Sequence, residues 1–146
     1  MEIVDIVSKV VIKECADLYV RVFNSEPWND RWNAEAAFER LTDFFDTPRF
    51  FGVAVWDNGK PIAAIIGNLE RYYSGDYYNL KEMFVSPEYQ RAGVGKKLLK
   101  HVKRKLAKNR IESIILFTSN EFYTVEFYKK NGFIILDNMR MLRCGL

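Results

Sequence analysis

The sequence predicts an α/β (α+β) fold, with a mixed and mostly antiparallel sheet of six to seven strands and about four helices. Residues 50–56 and 61–69 are β-branched and aromatic runs joined by a turn that contains Asn-Gly, which predicts a hairpin. Residues 78–118 show a strand–helix–strand pattern, which predicts two parallel neighbouring strands joined by a right-handed crossover. Two segments before the hairpin carry apolar residues at helical spacing. We therefore expect the element order β-α-α-β-β-β-α-β-α-β.

The first third of the chain predicts one strand and two helices. Ile3–Val7 is suited to a short strand, and the helical spacing of apolar residues predicts a helix from about 13 to 24. A second helix is expected over Ala34–Phe45, because Asn33 is a favourable N-cap and the apolar positions that follow form one stripe.

The middle of the chain predicts the hairpin and one further strand. Phe50–Trp56 and Pro61–Leu69 flank Asn58-Gly59, and this dipeptide favours a type I′ turn because both central residues need positive φ. Tyr78–Val85 reads as the next strand. The remaining elements are a helix, a strand, a helix that ends at Gly132, and one or two last strands: Gly93–Lys108, Ile111–Thr118, Glu121–Asn131 and Phe133–Arg143.

Length and composition predict one domain over residues 1–146 in the cytoplasm. The 146 residues are 49% apolar and 28% charged, and no Pro/Gly/Ser linker or repeat divides them. No apolar run approaches the ~20 residues of a membrane span, and the N-terminus has no basic segment typical of a signal peptide. The 2 cysteines show no C-x-x-C spacing, which suits a reducing compartment and argues against a cysteine-built zinc site.

The charge is divided between two segments of the chain. The net charge is only +3, but residues 91–110 contain 9 Lys and Arg and no acid. Residues 26–46 contain 6 acids and 2 arginines. The first segment would attract a polyanion and the second a cation.

The loop after the strand Tyr78–Val85 predicts a phosphate site. Gly93 and Gly95 lie where a long helix begins, so unpaired helix N–H groups and a partial positive charge meet a backbone that a phosphate can approach closely. Arg91 adds a donor beside the glycines. Two glycines at a helix start are by themselves weak evidence for a phosphate site, since a helix start that needs only flexible residues would also contain them.

Two motifs resemble those of the GCN5-related N-acetyltransferase (GNAT) superfamily. Residues 85–95, Val-Ser-Pro-Glu-Tyr-Gln-Arg-Ala-Gly-Val-Gly, resemble its [QR]-x-x-G-x-[GA] signature with the Val-x-Pro-x-Tyr lead-in. Residues 127–133, Phe-Tyr-Lys-Lys-Asn-Gly-Phe, resemble the second signature, F-Y-x-x-x-G-F. Their order and spacing agree with the family, and the element order fits its fold over nearly the whole chain. A full G-x-G-x-x-G motif and a Walker A loop are absent.

The resemblance implies that acetyl-CoA is the acetyl donor. Main-chain amides of the turn would hold the pyrophosphate, and the backbone at Phe84 and Val85 would run beside the pantetheine arm. The strands Tyr78–Val85 and Ile111–Thr118 would splay apart, so that the cofactor is received like a further strand. Asn120 would bind the pantetheine side, although it precedes the signature tyrosine by eight residues where the family has seven. The residues implied in the turn are Gln90, Arg91, Ala92, Gly93, Val94, Gly95 and Lys96.

Acetyl transfer to a primary amine needs a proton acceptor and a proton donor. Glu82 is the candidate base from its place on the strand, on the same face as Phe84 and the opposite face from Val85; a surface acid is the alternative. The resemblance implies that Tyr128 protonates the departing thiolate, whereas a packed aromatic residue is the alternative. Neither cysteine lies in a motif, so direct transfer is preferred to a covalent acetyl-enzyme. With 1 histidine and scattered acids, no metal site is expected.

The acceptor segments implied by the resemblance are 23–32 and 71–78. Glu26, Trp28 and Asp30 would hold a cationic amine through ion pairing and cation–π contact, or the tryptophans would only pin the loop to the core. Tyr78 is included as an acceptor contact. The stretch 24–29 is also similar to a segment of aminoglycoside 6′-acetyltransferase-like members.

The expected function is acetyl-CoA-dependent N-acetylation of a small, cationic amine. Two alternatives stay open: a protein or peptide N-acetyltransferase of the same fold, and a non-catalytic acetyl-CoA-binding module. Nucleic acid is not expected as a partner, because the basic helix lacks interleaved aromatic residues and acetyl-CoA accounts for its charge. A membrane partner is not expected either, and a homodimer is left open.

Overall fold

A computed structural model describes all 146 residues, which divide into two compact units, Met1–Leu116 and Phe117–Leu146. The first unit contains a five-stranded sheet in the order β1-β2-β3-β4-β5, with β4 and β5 parallel and the other pairs antiparallel. Its elements are β1 (Glu2–Asp5), α1 (Lys9–Phe23), α2 (Ala34–Phe45), β2 (Phe50–Asp57), β3 (Lys60–Glu70), β4 (Tyr77–Val85), a 3₁₀ turn (Pro87–Tyr89), α3 (Val94–Lys108) and β5 (Ser113–Ile115). The second unit contains α4 (Thr124–Lys130). The mixed α/β class and the order of these elements are confirmed.

The hairpin and the crossover confirm the two strongest local predictions. Asn58 and Gly59 have φ of 50° and 73°, the positive values that a type I′ turn requires. β4 pairs in parallel with β5 after the crossover through α3. No helix is both long enough and apolar enough to cross a bilayer.

α1 begins earlier than the apolar spacing predicted. Its β-branched residues 10–12 have low helix propensity, but the Ser8 side chain accepts a hydrogen bond from the Val11 amide (3.4 Å) and caps the first turn. Ile12 is fully buried against the sheet, so packing stabilises the turn that propensity alone does not.

The sheet has five strands and not six or seven. The predicted strand 111–118 is reduced to β5, and residues 133–143 form no strand. These last residues keep an apolar sequence, but a strand forms only where its N–H and C=O groups pair with a neighbour. Pairing is a property of tertiary structure, and the sequence pattern did not reveal its absence.

Two layers of helices cover the two faces of the sheet. α1 and α2 share a core with the inward residues of β2, β3 and β4, among them Ala54, Ala64, Ile66 and Phe84. Because side chains alternate along a strand, Val53 and Ile65 face the other layer, where α3 buries Leu98, Leu99, Val102 and Leu106. The site residues of the first unit lie on β4, in the turn that follows it and in the loop between α1 and α2.

A bulge in β4 changes which face its side chains occupy. Ile66 pairs with Glu82 but Gly67 pairs with Leu80, so Lys81 is an extra residue without an opposite partner. Tyr78 and Leu80 therefore lie on the α3 face, whereas Glu82 and Phe84 lie on the face of α1 and α2. Strict alternation would have placed all four on one face.

Candidate active site

The end of β4 has an edge that β5 does not cover. β5 pairs only with Tyr77, Tyr78 and Asn79, so the parallel pairing stops well before β4 ends. The Ser86 amide donates to the Ile62 carbonyl of β3 (2.7 Å), and alternation therefore turns the backbone groups of Val85 away from β3. The resemblance implied that these two strands splay apart here, and in the structure their pairing ends at Asn79 and Ile115.

The turn after β4 leads directly into an uncapped helix. Gln90 donates from its side-chain Nε2 to the Val85 carbonyl (3.1 Å), which ties the turn to the end of the strand. Arg91 (φ 62°) and Gly93 (φ 80°) are left-handed, and α3 begins at Val94 with no side-chain cap and no acid in its first turn. The first amides of α3 therefore have no acceptor from its N-cap side chain or a first-turn carboxylate, and the helix dipole favours an anion there.

The residues of this turn fit a pyrophosphate. A Cβ built on Gly93 would have nothing within 4 Å, so the space above this backbone is open. Arg91, Ala92, Gly93 and Lys96 are exposed, and only Val94 is buried, where it anchors the helix in the core. The predicted donors are thus grouped at one surface, and the chemistry of successive N–H groups at a helix N-terminus suits a phosphate.

Glu82 is enclosed by side chains from α1 and α2. Only 8% of its surface is exposed, and its Oε1 accepts hydrogen bonds from Arg40 Nε (2.8 Å) and from the Tyr19 hydroxyl (3.2 Å). Burial raises the pKa of the Glu82 carboxyl, while the hydrogen bonds and the charge of Arg40 oppose that rise. Glu82 is therefore an inward carboxylate of the α1/α2 face, not a surface acid.

An aromatic cluster surrounds the Glu82 partners. The Tyr19 ring lies 5.3 Å from the rings of both Trp32 and Phe84, and 4.5 Å from the ring of Phe23. Burial is the main cause that raises the pKa of the Tyr19 hydroxyl, which therefore donates to Glu82 as a neutral phenol. The sequence did not indicate Tyr19 or Arg40 as site residues; the available signal was that Arg40 is one of only 2 cations in the acid-rich segment 26–46.

The loop between α1 and α2 carries the three predicted acceptor residues. Asn24 clamps it by bonding both the amide and the carbonyl of Trp32 (2.8 Å each). Trp28 packs on Phe23 with ring centroids 5.6 Å apart, and Asp30 accepts a hydrogen bond from the Trp32 indole (3.1 Å). Both carboxylates of the prediction, Glu26 and Asp30, are exposed. Both tryptophans pack against neighbouring rings, and both acids reach solvent.

A cleft of about 460 Å³ opens between the last turn of α1 and the 3₁₀ turn after β4. The cleft is lined by one cation, Arg21, and one anion, Glu88, and Glu82 is not part of its lining. The full lining is Val20, Arg21, Asn24, Ser25, Pro87 and Glu88. The cleft therefore lies between the start of the α1–α2 loop and the 3₁₀ turn that precedes residues 90–96.

Tyr78 is a correction to the predicted acceptor set. Its side chain is fully buried, and its hydroxyl donates to the Phe51 carbonyl (2.7 Å). The bulge places it on the α3 face, away from the Glu82 face. Tyr78 is a core residue and cannot contact an acceptor at the surface.

The second unit carries Tyr128 and Asn120. Tyr128 lies in α4, partly buried, with ring centroids 5.3 Å from Phe127 and 5.2 Å from Phe133. Asn120 is exposed and precedes the helix. Gly132 follows α4 with φ of 90°, the left-handed position that the sequence predicted for the helix end.

Solved structures of acetyltransferases share this fold. A possible acetyltransferase from Clostridium difficile 630 has a TM-score of 0.82 at 16% identity, over 99% of this chain and 97% of that one. An aminoglycoside acetyltransferase from an uncultured soil metagenomic sample, in complex with sisomicin, has a TM-score of 0.76 at 15% identity, covering 99% and 95%. A GNAT family acetyltransferase from Staphylococcus aureus subsp. aureus USA300_TCH1516 has a TM-score of 0.74 at 15% identity, covering 99% and 100%.

The sequence comparisons identify the family. No curated protein sequence matches the chain. The model of the Acetyltransferase (GNAT) family matches residues 12–133, which include the pyrophosphate turn, Glu82 and the second signature. This match covers most of the chain, and it agrees with the β4 edge beyond β5 and with the uncapped start of α3. The protein is therefore an acetyltransferase that belongs to the GNAT family.

Proposed function

We propose that this protein transfers the acetyl group of acetyl-CoA directly to a primary amine of a small, cationic acceptor. The observation that carries the proposal is the end of β4, which β5 does not cover and which leads into the uncapped N-terminus of α3. The edge suits the extended, amide-bearing pantetheine arm, and the helix start suits the pyrophosphate that follows it.

The transfer requires a neutral amine. A primary amine with a pKa near ~10 must lose a proton, at a cost on the order of 4 kcal/mol at pH 7. Glu82 is the proposed base, because a carboxylate whose pKa is raised by burial holds a proton more readily than an ordinary one. The amine nitrogen then attacks the thioester carbon, and the C–S bond breaks.

The departing thiolate takes up a proton. Tyr128 is the proposed donor, since it occupies the position of the tyrosine in the F-Y-x-x-x-G-F signature. A phenol near pKa ~10 can protonate a thiolate whose conjugate acid is near ~8.5 when the proton is supplied within the site. The products are the acetylated amine and free CoA.

The charge distribution supports a cationic acceptor. Glu26 and Asp30 are exposed on the acceptor loop, whereas the pyrophosphate turn continues into a helix without acids. One cation–π position on this loop is already taken, because the Arg40 guanidinium lies 5.8 Å from the Trp32 ring centre. Glu26, Asp30 and Trp28 are the groups proposed to hold the amine through ion pairing and cation–π contact.

Donor binding is tested by thermal melts with acetyl-CoA. At 100 times its Kd, a ligand that binds only the folded state stabilises the protein by about 2.7 kcal/mol, so the melting temperature should rise with concentration. Gly93→Asp should abolish this rise by placing a negative charge at the pyrophosphate. Gly59→Asp is the matched control, because Gly59 also has positive φ (73°) and open space but lies in the β2–β3 turn. Absence of binding at millimolar acetyl-CoA would refute the proposal.

The acceptor class is tested by a screen for CoA release. The panel should contain aminoglycosides and polyamines, neutral and acidic amines of similar size, and peptides. Cationic small amines should be the productive acceptors, and their KM should rise with salt as exposed ion pairs are screened. A preference for neutral or acidic amines would contradict the cationic acceptor, and a preference for peptides would move the function to the protein N-acetyltransferases.

A further inference from the structure

Glu82 is held by two residues that neither sequence motif includes. Its Oε1 accepts both the Arg40 Nε hydrogen bond (2.8 Å) and the Tyr19 hydroxyl hydrogen bond (3.2 Å). Neither bond uses Oε2. Both bonds thus hold the carboxylate through the same oxygen.

Arg40 is itself restrained by aromatic packing. Its guanidinium carbon lies 5.0 Å from the ring centre of Phe44 and 5.8 Å from that of Trp32. An exposed ion pair is weak because long side chains lose entropy on pairing and water screens the charge. Here the Glu82 side chain is only 9% exposed, so water screens its charge less. The Arg40 side chain is already held by two rings, so it loses less entropy on pairing.

The groups that face Glu82 come from each element packed around it. α1 supplies the neutral hydroxyl of Tyr19, α2 supplies the cation of Arg40, and the loop between them supplies the negative charge of Asp30. On the neighbouring strand, the next residue on the same face is the neutral amide of Asn68. Burial and Asp30 favour the protonated carboxyl, whereas Arg40 and Tyr19 favour the carboxylate.

We infer that Arg40 is a positioning residue for acetyl transfer, which keeps Glu82 ionised and oriented while the acceptor amine is deprotonated, with Tyr19 as its second support. The inference rests on the proposed role of Glu82 as the base. Arg40 is also the only cation paired with Glu82, so its loss leaves a buried carboxylate without its counter-charge. Loss of that counter-charge raises the pKa of the Glu82 carboxyl further, so a smaller fraction of Glu82 is ionised and able to accept a proton at a given pH.

The test is the pH profile of kcat/KM for Arg40→Gln. Without the cation, the pKa of the Glu82 carboxyl rises, so the acidic limb of the profile should move to higher pH. We expect a loss of about tenfold or more at pH 6 with recovery at pH 9, since an opposite charge at this distance has effects of that order. Arg40→Lys should fall between wild type and Arg40→Gln. Tyr19→Phe should move the limb in the same direction by less.

Lys9→Gln is the matched control. Lys9 lies on α1 and pairs with Asp46 (3.4 Å), but both side chains are more than half exposed, so the variant removes a cation of the same layer without touching Glu82. Its profile should equal that of wild type. A loss in Arg40→Gln that is equal at all pH values, or an unmoved acidic limb, would overturn the inference. If Arg40→Gln does not fold, the limbs of Arg40→Lys and Tyr19→Phe decide in the same way.

Two further measurements separate this inference from the proposed function. Glu82→Gln should remove the acidic limb; if the limb is unchanged, Glu82 is not the base and the proposed mechanism fails. Carbon-13 NMR titration of the Glu82 carboxyl follows its ionisation without catalysis. A titration that moves to higher pH in Arg40→Gln supports the positioning role, and an unmoved titration refutes it even if Glu82 is the base.

Discussion

The bulge in β4 can be tested by filling the space above Gly67. Gly67 pairs with Leu80 at the bulge, and a Cβ at this position would collide with the backbone carbonyl oxygen of Asn79 and lie 2.7 Å from Tyr78 Cζ. The carbonyl is part of the β3–β4 ladder, and the Tyr78 ring is fully buried. Neither can move without disturbing the pairing that places Glu82 on its face of the sheet.

The change in the free energy of unfolding expected for Gly67→Ala follows from two opposing effects. Its φ is not in the left-handed region, so alanine would by itself stabilise the fold by about 0.4–1 kcal/mol through the unfolded state. Inserting a methyl group into a packed core costs about 1–3 kcal/mol, and the collision with a backbone atom places this site toward the upper end. We therefore expect a net loss of about 2 kcal/mol, or roughly 4–8 °C in Tm for a chain of this size.

The assay is urea unfolding with Gly52→Ala as the comparison. A Cβ on Gly52 meets the end of the Phe50 side chain at 2.7 Å, and this ring is only partly buried and can turn away. Gly52→Ala should therefore lose less stability. Gly67→Ala should also lower kcat while acetyl-CoA binding is retained, because the proposed donor site lies at the start of α3. A Gly67→Ala protein as stable as wild type would show that the β3–β4 contact is loose and would refute the packing argument.

Three further predictions concern individual side chains. Tyr128→Phe should lower kcat by about 10²-fold or more with little change in acetyl-CoA affinity, and full activity would mean that another group protonates the thiolate. Glu26→Gln should raise the acceptor KM without changing the acetyl-CoA KM. Glu39 is an exposed acid on α2, and Glu39→Gln should leave both KM values unchanged. Equal kinetics for the two variants would exclude Glu26 from acceptor binding. Tyr78→Phe should cost about 1–3 kcal/mol of stability, because the buried Phe51 carbonyl loses its donor, and acceptor KM should stay at the wild-type value.

Local sequence patterns predicted those parts of the fold that depend on a few neighbouring residues. The turn at Asn58-Gly59, the N-cap at Asn33 and the left-handed Gly132 are confirmed, because each depends on the backbone preferences of one or two residues. The helix start at Gly93 and Val94 likewise depends on the backbone preferences of neighbouring residues. The turn proposed to bind the donor could be identified for this reason, since successive main-chain amides at a helix N-terminus suit a phosphate.

Contacts between distant segments could not be read from the sequence. Arg40 and Tyr19 meet Glu82 from positions 42 and 63 residues away, and the one local signal was that Arg40 is one of 2 cations in the acid-rich segment 26–46. The extra residue at Lys81 reverses the face of β4, which a strict period of two cannot reveal. Glu82 lies between the bulge and Val85, so its face could be predicted from Val85. Tyr78, which was expected to contact the acceptor, lies beyond the bulge and is buried on the α3 face.

The sequence by itself determined the family, the order of the elements and the turn proposed to bind the donor, because these depend on short motifs and local periodicity. Only the tertiary structure decided that Glu82 is buried, which residues bond to it, and that residues 133–143 form no strand. The physical reason is that burial, ion pairing and strand pairing each need a partner from elsewhere in the chain. The free energy of such a pair depends on where both groups lie, and not on either group alone.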